Sequence, residues 1–279
     1  MPAEPDYVFT RDHIDNNRLN LQHYQWIELF GYHLHPQISV SKANLCIADV
    51  ATGTGIWLTD MSGRLPATTR LEGLDISLKA TPPAEWLPPN VTFRVWDIKQ
   101  AVPESLVGKY DVVHVRLLSF VLRDDEVPSV LQNLTQLIKP GGYLQWAEPD
   151  VASFRIEKTH PGNNTDALER LLHASQGQDS RLRPTWVPQL GDLFSSVGKL
   201  CDVHIDVRDA PGYLAMAMHE CNITIHELLC RTTRNKEVSH QLETLLTEAA
   251  QETREGACWA FTRWTVVGKK PANVGDADL

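Results

Sequence analysis

The sequence predicts an α/β fold built on a mostly parallel sheet, and three observations support this prediction. Short apolar runs recur along the first half of the chain, a turn of small residues follows the first run, and acidic residues stand where the next two runs end. Runs that are apolar throughout are typical of strands buried on both faces of a parallel sheet. With 279 residues and 42% hydrophobic content, the chain is long enough to bury such a sheet between helices in one large domain.

The first strand and its turn form the most informative motif. The run Leu45 to Val50 predicts a strand, residues 51–55 the turn, and a helix is expected to begin near Ile56. Small residues at such a turn let the backbone approach a ligand, and the N–H groups at the start of a helix favour a carboxylate. Turns that bind a pyrophosphate have the spacing Gly-x-Gly-x-x-Gly, whereas here the small residues alternate and stop at Gly55. The spacing therefore disfavours a turn that binds phosphate groups.

The elements that follow repeat the pattern of strand and terminal acid. The second strand, Leu71 to Ile76, places Asp75 near its end, where a carboxylate can accept hydrogen bonds from two ribose hydroxyls. The remaining elements of this half are predicted as a third strand at Val91–Val95 followed by Trp96-Asp97-Ile98, a fourth at Tyr110–Val115, a helix at Asp124–Ile138, a Lys-Pro-Gly-Gly turn at 139–142 and a fifth strand at Tyr143–Ala147.

This order of strands, acids and turns resembles the class I S-adenosylmethionine-dependent methyltransferases, whose first motif corresponds here to Asp49, Ala51, Gly53 and Gly55. The resemblance implies a Rossmann-like fold with a seven-stranded, mostly parallel sheet and an antiparallel last strand. The chain departs from the family at Ala51, where glycine is usual. If the backbone there needs a positive φ, alanine is strained; if the glycine serves only close approach, alanine costs little.

The resemblance also implies the cofactor, S-adenosyl-L-methionine, and places it beyond the carboxyl ends of the strands. In this family an acid at the end of the third strand commonly meets the adenine amino group, and Asp97 occupies that position. Neighbouring apolar side chains are candidates to pack on the ring faces. The residues expected to contact the cofactor are Asp49, Ala51, Thr52, Gly53, Gly55, Asp75, Ile76, Trp96, Asp97, Ile98 and His114.

The rest of the chain is expected to cover the substrate. Residues 1–40 are interpreted as an N-terminal helical cap, with an amphipathic helix from Asn16 to Tyr32, and residues 41–279 as the cofactor-binding domain. Helical lid insertions are expected near 149–185 and 211–255. The other elements predicted in this half are a short helix at Asp166–Ala174, a helix at Val187–Val197, a strand at Cys201–Arg208 and a last strand at Trp259–Val267, which with its neighbour matches the antiparallel closing hairpin of the family.

Two segments look most like a group of filamentous-fungal methyltransferases associated with secondary metabolism. They are the run Arg18-Leu19-Asn20-Leu21-Gln22-His23 and the form Val-Ala-Thr-Gly-Thr-Gly-Ile-Trp of the turn at 50–57. The resemblance implies a small-molecule acceptor, a polyketide, alkaloid or peptide-derived product that carries a hydroxyl or an amine.

Methyl transfer needs an aligned nucleophile and a place for its proton. Histidine is the natural base near neutral pH, so His114 and His23 are the candidate catalytic residues, with a packed histidine as the alternative for each. A nearby histidine base favours a hydroxyl acceptor over an amine. The candidate substrate-binding residues are Tyr24, Arg116, Glu148 and His219. His219 shares a helix face with His226, but a metal site needs a third ligand that the sequence does not indicate, so no metal is expected.

Composition excludes several other partners. The net charge of −9, without a Lys/Arg run, argues against nucleic acid. No apolar stretch is long enough to span a bilayer and no signal-type N-terminus is seen, so we expect a cytoplasmic protein, a monomer or homodimer, that does not bind membranes. The five cysteines lack a Cys-x-x-Cys pair and are expected as reduced thiols. Two alternatives stay open: a cyclase that binds S-adenosylmethionine on the same fold, and a regulator without turnover.

Overall fold

The computed structural model describes residues 12–176, 181, 183–233 and 236–272. Residues 1–11 of the expected cap, the C-terminal end and parts of both expected lids lie outside these ranges. The described residues form one seven-stranded sheet in the order β3-β2-β1-β4-β5-β7-β6. The strands are β1 Cys46–Val50, β2 Arg70–Asp75, β3 Val91–Val95, β4 Tyr110–Arg116, β5 Ile138–Lys158, β6 Cys201–Arg208 and β7 Ala257–Lys269.

Strand direction confirms the predicted fold class. The four pairings among β1 to β5 are parallel, whereas β7 runs antiparallel to both β5 and β6. Seven α-helices flank the sheet in the described part of the chain: α1 His13–Phe30, α2 Ile56–Ser62, α3 Val127–Leu137, α4 Asp166–Gln176, α5 Leu190–Ser196, α6 Gly212–Thr232 and α7 Lys236–Arg254. None of these helices is long and apolar enough to cross a membrane.

The N-terminal helix starts earlier than predicted, because Asp12 caps it. The Asp12 carboxylate accepts hydrogen bonds from the backbone N–H groups of Ile14 and Asp15, which are otherwise free at a helix start. The helix ends at Gly31, whose φ of 75° is the left-handed conformation that favours glycine. Its buried Trp26 and Phe30 pack over Ala147 of β5, which pairs with Arg116 at the carboxyl end of β4, so α1 lies close to the edge where ligands bind in this fold class.

β5 is much longer than the predicted Tyr143–Ala147. The Pro-Gly-Gly turn lies inside the strand at a bulge, where the pairing with β4 shifts register and Gly141 has a φ of 77°. Beyond residue 149, where a lid was expected to begin, residues 155–158 pair with β7. The segment is strand because Phe154 and Ile156 pack against the apolar cluster of α4 and α7.

The long helical stretch predicted over 211–255 consists of two helices, α6 and α7, and α6 ends where Thr233 adopts an extended backbone. Leu242 and Ala249 of α7 pack in one cluster with Leu168 of α4 and with Trp259 of β7. All five cysteines are free thiols, as expected, and Cys201 alone among them is exposed.

Candidate active site

The turn after β1 adopts left-handed backbone at each of its small residues. The φ angle is 56° at Ala51, 57° at Gly53 and 76° at Gly55. The position of Ala51 therefore does require a positive φ, and alanine is strained there by about 1–2 kcal/mol. At Gly55 there is also a steric reason for glycine, because a Cβ would lie 2.4 Å from the Phe93 ring.

Asp75 lies against this turn at the end of β2. Its Oδ2 accepts a hydrogen bond from the Gly53 N–H at 2.9 Å, and its Oδ1 accepts one from the Ser77 N–H at 3.0 Å. These two backbone contacts fix the orientation of the carboxylate, each of whose oxygens has two acceptor positions. The adjacent Ile76 is partly exposed beside it.

The segment after β3 lies in the same cavity as Asp75. Trp96 and Ile98 are buried, and the Asp97 carboxylate between them is fixed by the Lys99 N–H, which donates to Oδ1 at 2.9 Å. An acid flanked by two apolar side chains can meet a polar edge of a flat ring while its neighbours contact the ring surface.

Asp49 and His114 lie opposite each other on the parallel strands β1 and β4. Asp49 Oδ1 is 2.7 Å from His114 Nδ1, and Oδ2 accepts a hydrogen bond from the Thr52 hydroxyl at 2.6 Å. The His114 ring stacks on Trp57 with 4.0 Å between centroids. Burial lowers the pKa of His114, and the Asp49 carboxylate opposes that shift without overcoming it.

These groups line a cavity of about 410 Å³. Two of its lining residues carry buried polar atoms with no hydrogen-bond partner in the described chain: Oδ1 of Asn16, an acceptor, and Nε1 of Trp57, a donor. Arg116 lines the same cavity. Buried polar atoms are seldom left unpaired, so these two atoms indicate a ligand that brings a hydrogen-bond donor to Asn16 and an acceptor to Trp57, and Arg116 favours an anionic acceptor.

Arg116 is held by a neutral histidine. Its Nη2 lies 3.0 Å from His23 Nδ1, and His23 Nε2 lies 2.9 Å from Asp60 Oδ2. A guanidinium can only donate, so His23 Nδ1 accepts and its Nε2 carries the proton that is donated to Asp60. Burial lowers the pKa of His23 to about 4, with the Arg116 charge acting in the same direction. His23 therefore does not neutralise Arg116, whose charge interacts with the Asp49 and Glu148 carboxylates and whose guanidinium has further N–H donors for a ligand.

His23 also belongs to a cluster that has the composition of a metal site. Its Nε2, the Asp60 carboxylate and a nitrogen of His33 lie within 4.8 Å of one another. Arg64 Nε donates to the same carboxylate at 2.9 Å, and Arg116 contacts the other nitrogen of His23. Two guanidinium groups at these contacts oppose a bound cation.

A second, largely apolar cavity of about 120 Å³ adjoins the first. The two cavities share Leu19, Leu117 and Val121. The walls of the second come from α1, α6, β7 and the segment after β4, and include Trp26, Phe120, Trp259, Phe261, Arg263 and His226. A molecule in this cavity would lie next to a molecule in the first, which is the arrangement that a transfer between two ligands requires.

Three residues expected to bind substrate line neither cavity. Tyr24 is 53% exposed, on the outer side of α1. His219 is buried, with Nε2 at 2.9 Å from the Thr253 hydroxyl and Nδ1 accepting from the Trp259 N–H. Glu148 is buried and accepts hydrogen bonds from the N–H groups of Leu118 and Ser119 and from Trp146 Nε1. It holds the loop that separates the two cavities and leaves no oxygen facing a ligand.

The candidate bases are also placed away from the apolar cavity. His114 lines the first cavity, and both nitrogens of His23 are engaged by Arg116 and Asp60. Asn16, Trp57 and Arg263 are among the lining residues that the sequence did not indicate as site residues, and His226 was indicated only together with His219. His226 shares the helical face of His219, so the only sequence signal for it was a periodicity that fits both residues equally.

The fold, the left-handed turn and the two acids together match the arrangement expected of a class I S-adenosylmethionine-dependent methyltransferase. Residues 47–142 match the family described as a methyltransferase domain. The matched segment is about a third of the chain, and over about half of its length the chain is similar to methyltransferases of fungal secondary metabolism.

Two curated relatives and one solved structure illustrate this relationship. The chain is 39% identical to the methyltransferase grgD of a Penicillium species, over 57% of this chain and 58% of the relative. It is 34% identical to the N-methyltransferase verN of Clonostachys rogersoniana, over 53% of this chain and 51% of the relative. The matches thus span little more than half of either relative.

The solved structure is phosphoethanolamine N-methyltransferase 2 of Haemonchus contortus in complex with S-adenosyl-L-methionine. It superposes with a TM-score of 0.51 at 15% identity, covering 97% of this chain and 61% of that one. At that identity the likeness shows a shared fold and no more.

Proposed function

We propose that this protein transfers a methyl group from S-adenosylmethionine to a nitrogen of a small aromatic molecule. The observation that carries the proposal is the pair of adjoining cavities, one lined in part by acidic and basic side chains, the other largely apolar and aromatic. When bound in the first cavity, S-adenosylmethionine supplies a methyl group already activated by its sulfonium. What the protein must add is alignment of the nucleophile, which the second cavity supports by its position.

The residues of the first cavity fit the cofactor from end to end. Asp75 is oriented for two ribose hydroxyls, and Asp97 with Trp96 and Ile98 fits the adenine. At the other end, Arg116 and the unpaired Trp57 N–H suit the carboxylate of the methionine part. The unpaired Asn16 carbonyl oxygen suits its ammonium group.

The expected preference for a hydroxyl acceptor depended on a histidine base near the acceptor. His23 and His114 do not line the apolar cavity, and the histidine that does, His226, has its pKa lowered to about 4 by burial. A histidine with that pKa is a weak base, whereas an amine needs no base before it attacks. This supports nitrogen over oxygen, and the name of the Clonostachys relative agrees.

The test is to incubate the full chain with S-adenosylmethionine carrying a deuterated methyl group and a panel of aromatic amines and phenols. We expect S-adenosylhomocysteine to form together with an amine that gains the labelled methyl. A phenol methylated in preference to every amine would overturn the nitrogen assignment while keeping methyl transfer. An acceptor isomerised or dehydrated without S-adenosylhomocysteine would instead establish the cyclase. Saturable cofactor binding without any turnover of the panel would contradict the proposed function and favour the regulator.

A further inference from the structure

His226 is a buried side chain with a ring nitrogen that has no hydrogen-bond partner in the described chain. It lies on α6 in the wall of the apolar cavity and is 6% exposed. The Asn222 carbonyl, one turn earlier on α6, can accept from one ring N–H, and the other ring nitrogen has no partner among the described residues. Buried polar atoms are nearly always paired, so an unpaired imidazole nitrogen that faces a cavity indicates that a ligand supplies the partner.

His219 shows that the same helix face can satisfy a buried histidine when the fold requires it. It lies about two helical turns before His226, and both its nitrogens have partners, in Thr253 and in the backbone of Trp259. Both histidine rings also lie edge-on to the Trp259 ring, with centroids 5.3 and 5.1 Å away. Of the two histidines, His226 lines the cavity and His219 does not.

The size and lining of the cavity limit what can reach His226. Its volume is about 120 Å³, whereas an engineered apolar cavity of about 150 Å³ holds a benzene molecule. The Trp259 ring lies beside His226, and the other aromatic side chains of the cavity wall include Phe261 and Phe120. A single flat ring is the group that fits such a space, since aromatic walls favour stacked and edge-on contacts with it.

We propose that the apolar cavity binds a neutral aromatic amine and that His226 accepts a hydrogen bond from its N–H. This inference rests on the proposed function and deepens it, because it assigns the group that faces the acceptor nitrogen. A neutral imidazole carries one nitrogen that can accept. The contact orients the amine and selects against rings that lack a donor, since those would leave that nitrogen unpaired in an apolar environment.

The inference is tested by equilibrium titration of the full chain with aniline and with toluene, which have the same shape but differ in the N–H donor. The titrations are done without cofactor, so a failure of methyl transfer does not affect them. We compare the ratio of the toluene to the aniline dissociation constant in the wild type and in His226→Phe. We expect this ratio to fall about tenfold in the variant, the scale of one hydrogen bond to a buried group.

Two controls make the result specific to His226. His226→Gln retains an acceptor and should keep most of the preference for aniline, and His219→Gln should leave the ratio unchanged, because His219 does not face the cavity. A ratio in His226→Phe that equals the wild-type ratio within about twofold overturns the inference.

A second measurement needs no variant. In wild-type protein with ¹⁵N-labelled histidine, aniline should shift the resonance of the unprotonated His226 nitrogen, whereas toluene should leave that resonance in place. The absence of a shift at saturating aniline overturns the inference.

Discussion

Asp49 Oδ1 and His114 Nδ1 are 2.7 Å apart, across the pairing of β1 with β4. The carboxylate can only accept, so His114 donates through Nδ1. His114 is thereby fixed between Asp49 and the Trp57 ring, at the wall of the cofactor cavity. This relationship favours a role in shaping the cofactor site over a role as base.

The first prediction follows from that contact. His114→Ala leaves the buried Asp49 carboxylate without its partner and removes the support of Trp57, so S-adenosylhomocysteine should bind more weakly by about 1–2 kcal/mol. Calorimetric titration measures this, with the exposed His173→Ala as the matched control. Unchanged cofactor affinity together with lost turnover would return His114 to the base role.

The strain at Ala51 predicts a stabilising substitution. Glycine adopts the observed φ of 56° without a steric penalty. The strain energy removed exceeds the cost of the additional conformational entropy that a chain with glycine at this position loses on folding. Ala51→Gly should raise the free energy of unfolding by about 0.5–1 kcal/mol, measured by urea denaturation. Ala48→Gly, at a buried position of β1, should lower it. A destabilised Ala51→Gly variant would show that the turn is not strained.

Arg116 is expected to recognise the carboxylate of the cofactor. Arg116→Met should weaken S-adenosylhomocysteine binding by about 1.5–3 kcal/mol, the scale of hydrogen bonds to a charged group, and leave 5′-methylthioadenosine, which lacks the carboxylate, unaffected. The exposed Arg70→Met, away from the cavity, is the control. Equal losses for both ligands would mean that Arg116 supports the fold of the site and does not bind the carboxylate.

The buried histidine His226 predicts a dependence of stability on pH. Burial lowers its folded-state pKa to about 4 from an ordinary 6.5, so the unfolded chain binds more protons between these values. Stability is therefore lost as the pH falls through that window, and His226 accounts for about 2 kcal/mol of the loss by about pH 5. Urea unfolding at about pH 7.5 and about pH 5 should show a smaller loss for His226→Phe than for the wild type. Equal losses would mean that His226 is not kept neutral by the fold.

The cofactor half of the site was predictable because its determinants are local. Each acid lies at or just after the end of its own strand, and the carboxyl ends of parallel strands meet at one edge of the sheet. The sequence alone could not decide whether Ala51 has a positive φ, and the structure shows that it does.

The apolar cavity was not predictable from the sequence, because its walls come from α1, α6 and β7, which are far apart in the chain. Helical periodicity placed His219 and His226 on one face of the helix but could not show which of them has hydrogen-bond partners for both ring nitrogens. Glu148 was a candidate for binding substrate because it follows the predicted fifth strand, and the loop that covers it, at Leu118 and Ser119, is not visible in a strand pattern.

The central claim is that the cavity around Asp75 binds S-adenosylmethionine. Calorimetric titration of the wild type and of Asp75→Ala with S-adenosylhomocysteine tests it most directly, with the exposed Asp192→Ala as control. We predict saturable binding to the wild type and to the control, and a loss of about 1.5–3 kcal/mol in Asp75→Ala. Absence of saturable binding to the wild type, or equal affinity in Asp75→Ala, would contradict the claim.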